Sequence, residues 1–278
     1  MNKNRILILG KGFFGARLQE ELDCPVSERK IFSFKDAEEE IDKFKPEIII
    51  NTIGHIGENV DECEKDIDKT LTANTFVPLI LCELSLRKKI KLIHFSSGCI
   101  YHFAYPNQKP ISEDSPPDFF ELFYSRTKIY AEEPLRILAE KYPILILRPR
   151  VPLDNRPHPR NILTKLINYR RVIDIPNSIT YLPDFIKALK YLIDINARGV
   201  FNVVNKGALR YPELLEVYKK YVPDFRYEII NLKELRRVRT NVILSTKKLE
   251  ETGFKVREIH TLLEECVKKY LEVRPPKQ

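Results

Sequence analysis

The sequence contains no tryptophan, a single methionine, and no apolar run near the roughly 18 residues that a membrane-spanning helix needs. The N-terminal run RILILG is too short, and too soon broken by glycine, to be a signal peptide. There is no internal repeat and no low-complexity segment, which leaves an ordinary globular chain. We therefore expect a cytoplasmic protein that does not bind a membrane.

The five cysteines lack the spacing of a metal site or of a disulfide framework. Their number is odd, they are scattered along the chain, and no CxxC pair occurs: the positions are Cys24, Cys63, Cys82, Cys99 and Cys266. We expect reduced thiols and no bound metal. Since free cysteine is often a small buried hydrophobe, packing is the simplest role for each of them.

The basic charge is not gathered into one surface stripe. The formal charge is +8, from 47 Lys and Arg against 39 Asp and Glu, and such an excess favours anionic partners. Basic residues alternate with acidic ones, as in EEEIDKFK and ELRRVR, and no aromatic residues are interleaved with a basic cluster. We expect no nucleic acid partner, because an anionic small molecule explains this charge equally well.

Short apolar runs alternate with helix-like segments through the first half of the chain. The alternation predicts an α/β fold with a Rossmann-like, doubly wound parallel sheet, and isoleucine-rich runs such as EIII are typical of strands covered on both faces. Residues 60–87 and 256–272 each resemble a single helix. Four prolines between 149 and 159 interrupt regular structure. We expect a cofactor domain at 1–150, to which part of 172–204 returns, and a smaller substrate-binding lobe over most of 151–278.

The turn GKGFFG lies between the first strand and the first helix. Its glycines have G-x-G-x-x-G spacing, which permits a tight turn and lets a pyrophosphate approach the helix N-terminus. The alternative is a glycine turn that serves only the packing of the helix on the strand and binds no cofactor. The acidic residue that normally follows the second strand is not obvious in CPVSERKIF, where Ser27, Arg29 and Lys30 stand, and Lys11 lies in the turn. Basic residues suit a 2′-phosphate, so NADP is favoured over NAD.

A tyrosine and a lysine four residues apart, Tyr124 and Lys128, lie in the helix-like stretch YSRTK. They share one helix face, so the lysine can lower the pKa of the phenol and hold the cofactor ribose. Ser97 and Cys99 follow the fourth strand, and they project to the same side if the chain stays extended. The order of glycine turn, NTIG, Ser97, Tyr124 and Lys128 is more informative than any one motif.

In this order of motifs the sequence resembles the extended short-chain dehydrogenase/reductase family over nearly its whole length. It is similar to the dTDP-4-dehydrorhamnose reductases and, more closely, to the plant nucleotide-rhamnose synthase/epimerase-reductases. The matching stretches are GHIGENVDECE, SSGCIY, FYSRTK, LRPRVP, PRNILTKLINYRRVIDIPNSIT and GVFNVVNKGALRYPELLEVY. Two departures exist: the simple reductases carry an acidic residue and a tyrosine where Gly98 and Cys99 stand, and the glycine turn is one residue shorter than usual.

The resemblance implies roles for particular residues. Ser97 would bind the substrate carbonyl oxygen, Tyr124 would donate a proton, and Lys128 would be its partner. Cys99 and Lys165 would be the acid and base of epimerisation, in an order that the sequence leaves open; a solvated lysine is the alternative for Lys165. The implied cofactor-binding residues are Gly10, Lys11, Gly12, Phe13, Phe14, Gly15, Arg29, Lys30, Thr52, Ile53, Gly54, Tyr124, Lys128, Arg148 and Val151. The expected substrate contacts are His55, Ser97, Arg160, Asn161 and Arg239, with a surface salt bridge as the alternative for Arg239.

The resemblance thus implies an NADPH-dependent 3,5-epimerase and 4-reductase that converts a nucleotide-linked 4-keto-6-deoxyhexose to nucleotide-L-rhamnose. NAD is the alternative cofactor, and the nucleotide is UDP or dTDP. A homodimer is a candidate assembly. Two rival functions stay open: a reductase alone, with Cys99 merely packed, and a non-catalytic NADP-binding subunit similar to the methionine adenosyltransferase beta subunit.

Overall fold

The computed structural model describes residues 5–235 and 238–273, and these form two compact units. The first unit runs up to Ile100 and also contains Pro116–Arg148 and Lys190–Phe201. The second contains Tyr101–Ser115, Pro149–Leu189 and the described residues from Asn202 on. The division expected from the sequence placed residues 101–115 in the first domain, whereas they belong to the second unit.

The first unit is built on a six-stranded sheet with the strand order β2-β1-β3-β4-β5-β9. Numbered along the whole chain, its strands are β1 (Ile6–Leu9), β2 (Val26–Ser27), β3 (Ile48–Asn51), β4 (Lys91–Phe95), β5 (Ile144–Arg148) and β9 (Gly199–Asn202). The first five pair in parallel. After β1 the chain adds β2 on one side and then β3 on the other, so the topology switches between β1 and β3. Ligands of doubly wound sheets bind at this switch, beyond the carboxyl ends of the strands.

In the described part of the first unit, α1 (Phe13–Leu22), α2 (Phe34–Phe44), α4 (Val77–Lys88) and α5 (Phe123–Ala139) flank the sheet, and α3 (Ile67–Leu71) packs on α5. The strands bury nearly every side chain, as their continuous apolar runs predict, and they pack on Leu81 of α4 and Leu135 of α5. The predicted α/β fold is confirmed. The single helix expected over 60–87 is wrong, because a 3₁₀ turn (Val60–Glu64), α3 and a π-helical turn (Thr72–Phe76) precede α4.

The second unit has its own apolar core and two parallel strand pairs. Its strands are β6 (Pro152–Leu153), β7 (Arg171–Ile173), β8 (Thr180–Tyr181) and β10 (Glu228–Ile230), with β6 paired to β8 and β7 to β10. Its helices are α6 (Ile162–Tyr169), α7 (Leu182–Asp194), α8 (Tyr211–Tyr221), α9 (Lys247–Glu251) and α10 (Leu263–Val273). The last turns of α7 belong to the first unit. The helix expected at 256–272 is α10, which begins only at Leu263, after a 3₁₀ turn at His260–Leu262.

Within the ranges that the structure describes, no helix combines the length and the apolar character needed to cross a membrane. The same ranges contain no group of three or more histidine, cysteine, aspartate or glutamate side chains arranged to hold a metal ion.

His260 joins two carboxylates of the second unit, and this contact predicts a pH-dependent stability. Its Nδ1 lies 2.6 Å from Glu258 and its Nε2 lies 3.1 Å from Glu213, which also caps α8. Burial lowers the pKa of His260, but the two hydrogen bonds and the negative charges of Glu258 and Glu213 together raise it by more, so the pKa lies above its usual value of 6.5. The stabilisation is therefore fully present below pH ~6.5 and is lost as pH rises through the folded-state pKa.

We expect His260→Gln to lower the melting temperature by roughly 1–3 °C at pH 5.5 and by less at pH 8.5, because the site is partly exposed. Thermal unfolding at both values of pH measures this difference. An equal effect at the two values would contradict the assigned ion pairs.

Candidate active site

The turn after β1 is shaped by its glycines. Gly10 has a φ of +94°, a left-handed conformation that residues with side chains rarely adopt. A Cβ on Gly15 would lie 1.9 Å from the carbonyl oxygen of Gly10, so only glycine fits there. Thr52, just after β3, donates from Oγ1 to the same carbonyl at 2.7 Å. The turn can therefore bring a pyrophosphate close to backbone N–H groups at the N-terminus of α1.

The other predicted residues of this turn differ in exposure. Gly12 is the N-cap of α1, and a Cβ there would meet nothing within 4 Å. Phe13 is buried, and the half-buried Phe14 packs edge-on against Phe95 with ring centroids 5.5 Å apart. The two phenylalanines thus pack inside the first unit, whereas the space beside Gly12 in the turn is open.

The end of β2 carries an acidic residue that the sequence analysis did not assign. β2 ends at Ser27, so Glu28 follows it directly, and Glu28 pairs with Lys11 at 2.8 Å. The guanidinium of Arg29 lies 2.7 and 3.2 Å from two carboxylates of α2. Lys30 is exposed and has no ion-pair partner in the described part of the chain. Of the three cations expected near a 2′-phosphate, Lys30 is the one not engaged by a carboxylate.

The loop after β3 is held by Asn74, which the sequence analysis missed. Asn74 Oδ1 accepts from the backbone N–H of His55 at 2.8 Å, and Nδ2 donates to the His55 carbonyl at 2.9 Å and to Thr127 Oγ1 at 3.3 Å. A Cβ on Gly54 would lie 3.3 Å from Asn74 and 3.6 Å from Lys128 Nζ. The π-helical turn carries Asn74, and π-turns often mark functional sites. Asn74 therefore fixes the predicted residues 52–55 beside α5.

Ser97 and Cys99 lie in one short loop that is tied to α5. Ser97, 5% exposed, accepts from the backbone N–H of Cys99 through Oγ at 3.1 Å. Ser125, the neighbour of the half-buried Tyr124, donates from Oγ to the Cys99 carbonyl at 2.6 Å. Ser97, Cys99 and the first turn of α5 are thus brought together by hydrogen bonds within the first unit.

Cys99 differs from the other four cysteines, all of which lie in the described ranges. It is half-buried, whereas the other four are buried. Burial raises the pKa of the Cys24 and Cys82 thiols to about 11, which keeps them neutral. A catalytic thiol must be accessible to substrate, whereas a thiol that only packs in the core need not be. The partial exposure of Cys99 therefore suits a catalytic role.

Lys128 is 5% exposed, and its Nζ donates to the Phe95 carbonyl at 3.2 Å. Burial lowers the pKa of Lys128 to about 8, while Glu132, one turn along α5, favours the charged form. Lys128 in turn acts with burial to keep the pKa of His94 well below 6.5, so His94 is a neutral core histidine. A buried lysine with such a pKa can lower the pKa of a nearby phenol at neutral pH.

Glu64 caps the helix that carries Tyr124 and Lys128. The N-cap of α5, Leu122, provides no side-chain hydrogen bond, and Glu64 Oε1 accepts instead from the Phe123 N–H at 2.6 Å. Glu64 lies in the stretch GHIGENVDECE. This match to the epimerase-reductases could have indicated the residue, although not its capping role.

We expect Glu64→Ala to lower the free energy of unfolding by about 1 kcal/mol, because the first turn of α5 loses the carboxylate that accepts from the Phe123 N–H. Glu64→Gln keeps an acceptor oxygen and should lose less. Urea unfolding measures both variants. Equal loss in the two variants would show that the capping hydrogen bond is not the cause.

Arg148 and Val151 were both expected at the nicotinamide. Arg148, 1% exposed, donates from Nε to Glu132 at 2.9 Å, so its guanidinium lies inside the first unit. Val151 has a φ of +36°, which is rare for a β-branched residue, and Thr180 N–H donates to its carbonyl at 3.3 Å. Strained backbone of this kind clusters at functional sites. The structure thus gives Arg148 an internal ion pair, and the place of Val151 at the nicotinamide stays a prediction.

Three predicted residues of the second unit lie close enough to interact electrostatically. Lys165 on α6 is half-buried, and its pKa is lowered by burial and then by the cations of Arg160 and Arg239.

Asn161 is fully buried: Oδ1 accepts from Leu163 N–H at 3.1 Å, and Nδ2 donates to two backbone carbonyls. Asn161 is therefore the N-cap of α6, and its side chain is occupied by this local role.

Arg239 also lines a cavity of about 360 Å³ within the second unit. Further lining residues are Phe103, Tyr105, Arg210 and Asn241. Cationic, aromatic and amide side chains of this kind can contact an anionic ligand with an aromatic ring.

A family model described as the NAD dependent epimerase/dehydratase family matches residues 16–186. The chain belongs to this family. A bifunctional dTDP-4-dehydrorhamnose 3,5-epimerase/dTDP-4-dehydrorhamnose reductase of Arabidopsis thaliana is 33% identical over 224 residues, which cover 76% of this chain and 73% of the relative. The predicted membership of a family of nucleotide-sugar epimerases and reductases is confirmed.

Two further similarities extend this result. A trifunctional UDP-glucose 4,6-dehydratase/UDP-4-keto-6-deoxy-D-glucose 3,5-epimerase/UDP-4-keto-L-rhamnose-reductase of the same plant is 34% identical over 206 residues, 72% of this chain. These residues cover 31% of that relative, so the chain spans about a third of its length. The crystal structure of the L780 UDP-rhamnose synthase from Acanthamoeba polyphaga mimivirus superposes with a TM-score of 0.88 at 26% identity, over 95% of this chain and 98% of that one.

Proposed function

We propose that the protein is an NADPH-dependent 3,5-epimerase and 4-reductase of a nucleotide-linked 4-keto-6-deoxyhexose, with nucleotide-L-rhamnose as the product. The observation that carries the proposal is the hydrogen-bonded group of Ser97, Cys99 and the first turn of α5. It combines the residues of a reductase with a half-buried thiol that reduction alone does not need. The activities for which the plant relatives are named support the same assignment.

A nicotinamide dinucleotide fits the first unit. Gly10 and Gly15 allow the tight turn after β1, a Cβ on Gly12 would meet nothing within 4 Å, and a Cβ on Gly54 would lie 3.6 Å from Lys128 Nζ. When bound, this cofactor supplies hydride for reduction at C4. We propose NADPH, with NAD as the alternative, because Lys30 after β2 is exposed and has no ion-pair partner among the described residues, whereas Glu28 and Arg29 are paired.

In the proposed reduction, Tyr124 donates its phenolic proton to the oxygen at C4. Lys128 lies one turn along the same helix face, and its positive charge lowers the cost of forming the phenolate. Ser97 donates a hydrogen bond to the same oxygen and thereby orients the carbonyl. A lysine with a pKa of about 8 can fill this role while it is still largely protonated at neutral pH.

In the proposed epimerisation, Cys99 and Lys165 act as the acid and base. The ketone at C4 acidifies the protons at C3 and C5, and each centre inverts when a proton leaves one face and another returns on the opposite face. The negative charge passes to the C4 oxygen, where Ser97 and Tyr124 can stabilise it. Burial and two neighbouring arginines lower the pKa of Lys165, which brings the amine closer to neutrality.

For the substrate we propose that Arg160 and Arg239 bind the diphosphate, because guanidinium groups match phosphate oxygens in a bidentate way. His55 stays a predicted substrate contact: its backbone is held by Asn74, and its ring is part-exposed. For Asn161 we propose an indirect role, since its side chain caps α6. The cytoplasmic location and the homodimer stay predictions.

Product analysis separates the proposed function from its rivals. The protein is incubated with NADPH and UDP- or dTDP-4-keto-6-deoxyglucose, and the sugar is identified by NMR. The proposal expects an L-rhamno product from at least one nucleotide. A reductase alone would consume NADPH only when supplied with the sugar already inverted at C3 and C5. No turnover of any of these sugars, with NADPH still bound, would indicate a binding subunit and overturn the proposal.

A further inference from the structure

Three charged or phenolic residues repeat every four positions along one face of α5: Tyr124, Lys128 and Glu132. The first two are the proposed reductase pair, whereas Glu132 has no role so far. Glu132 is 1% exposed, which is rare for a glutamate and requires partners inside the fold.

Glu132 joins the carboxyl ends of two neighbouring strands. Ser96, the residue directly after β4, donates from Oγ to Glu132 Oε2. Arg148, the last residue of β5, donates from Nε to Glu132 Oε1 at 2.9 Å. Ser96 also donates its backbone N–H to Leu147 of β5 at 2.9 Å. Since Ser96 precedes Ser97, the carboxylate of Glu132 fixes the start of the loop that carries Ser97 and Cys99.

Glu132 also sets the charge balance around Lys128. Ser96, Arg148 and Lys128 are all at most 5% exposed, so water screens the charges of Arg148 and Lys128 little. Burial acts against a charged Lys128, and the negative charge of Glu132 acts in its favour. A buried ion pair is weak support for stability by itself, because apolar residues of similar size often serve as well. Its place beside Lys128 and Ser97 is the feature that stability does not explain.

We propose that Glu132 is a positioning residue of the reductase centre, which fixes the Ser96–Ser97 segment and balances the charge of Lys128 through its buried contacts. The inference rests on the proposed function for its catalytic readout, but its effect on Lys128 does not depend on any substrate. Glu132→Gln keeps the size of the side chain and an acceptor for Ser96 while removing the negative charge.

The first test follows Lys128 in the protein without cofactor. The Nζ group is titrated by NMR in isotopically labelled protein, and Lys128→Arg identifies its signal by loss. We expect Glu132→Gln to lower the titration midpoint of Lys128 by about 1 pH unit or more. An unchanged midpoint would overturn the proposal.

The second test separates positioning from folding. Glu132→Gln alone removes a carboxylate that Arg148 contacts in the buried interior, so a double variant with Arg148→Gln removes both charges. We expect the double variant to regain much of the thermal stability lost in Glu132→Gln, while the Lys128 midpoint stays low. If midpoint and stability both returned to the parent values, Glu132 would serve the fold alone and the proposal would fail.

The third test measures C4 reduction across pH in parent and double variant. We expect kcat at pH 7 to fall about tenfold or more with little change in KM, and the alkaline limb to move to lower pH, because Lys128 loses its proton earlier. An unchanged pH profile would contradict the proposal. If the Lys128 midpoint shifts but the parent turns over no sugar, the proposed function fails and the positioning role stands.

Discussion

Replacement of Cys99 by alanine is expected to slow inversion at C3 and C5 by about 10²–10⁴-fold and to leave NADPH binding unchanged. The thiol is half-buried, and its loop is fixed by Ser97 and Ser125, so the substitution removes one proton-transfer group with little disturbance of the backbone. NMR of the sugar during turnover measures inversion. Cys82→Ala, which removes a thiol buried in α4, is the matched control and should invert the sugar at the parent rate.

Lys165→Ala should block inversion as well, and the pair of variants assigns the acid and the base. A variant that lacks the base cannot remove the ring protons, so neither exchange with D₂O nor inversion occurs. A variant that lacks the acid still exchanges protons on one face but returns them with retention. Production of the inverted sugar by Cys99→Ala at the parent rate would assign Cys99 to packing, which is the alternative that the sequence left open.

The second large effect is expected at Tyr124. Tyr124→Phe removes the proton donor and should lower the rate of C4 reduction by about 10²–10⁴-fold, with NADPH still bound because Lys128 and the glycine turn are unchanged. The absorbance of NADPH during turnover measures the rate. Tyr130→Phe removes a hydroxyl from a side chain on the same helix that is 49% exposed, and it should reduce the sugar at the parent rate. Reduction by Tyr124→Phe at more than a tenth of the parent rate would identify another proton donor.

The sequence predicted the parts of the fold that depend on local pattern. The apolar runs of β1 and β3 and the glycines around α1 are read directly from periodicity and spacing, and the structure places them as expected. The order of the catalytic motifs likewise identified the family. These features depend on neighbouring residues along the chain, so a single sequence carries them.

Other features depend on contacts between distant residues. The π-helical turn that interrupts the expected helix at 60–87 positions Asn74 toward His55 and Thr127, and apolar periodicity does not register such contacts. Residues 101–115 belong to the second unit, where Ile111 pairs with Leu244 far along the chain. No local signal marks that pairing.

Glu28 and Arg148 show the same limit within the site. β2 has only two residues, so the sequence could not place its end, and Glu28 was passed over in favour of its basic neighbours. Arg148 was assigned to the nicotinamide by the family resemblance, whereas its guanidinium is directed to Glu132. Side-chain direction at a strand end depends on the partner it meets, which spacing alone does not give.

The most direct test of the bifunctional assignment is proton exchange in D₂O without NADPH. The protein is incubated with UDP- and dTDP-4-keto-6-deoxyglucose, and positions C3 and C5 are followed by NMR. We predict deuterium at both positions before any reduction, and an L-rhamno product once NADPH is added. No deuterium on the ring, together with oxidation of NADPH only when the sugar already inverted at C3 and C5 is supplied, would contradict the account and leave a reductase alone.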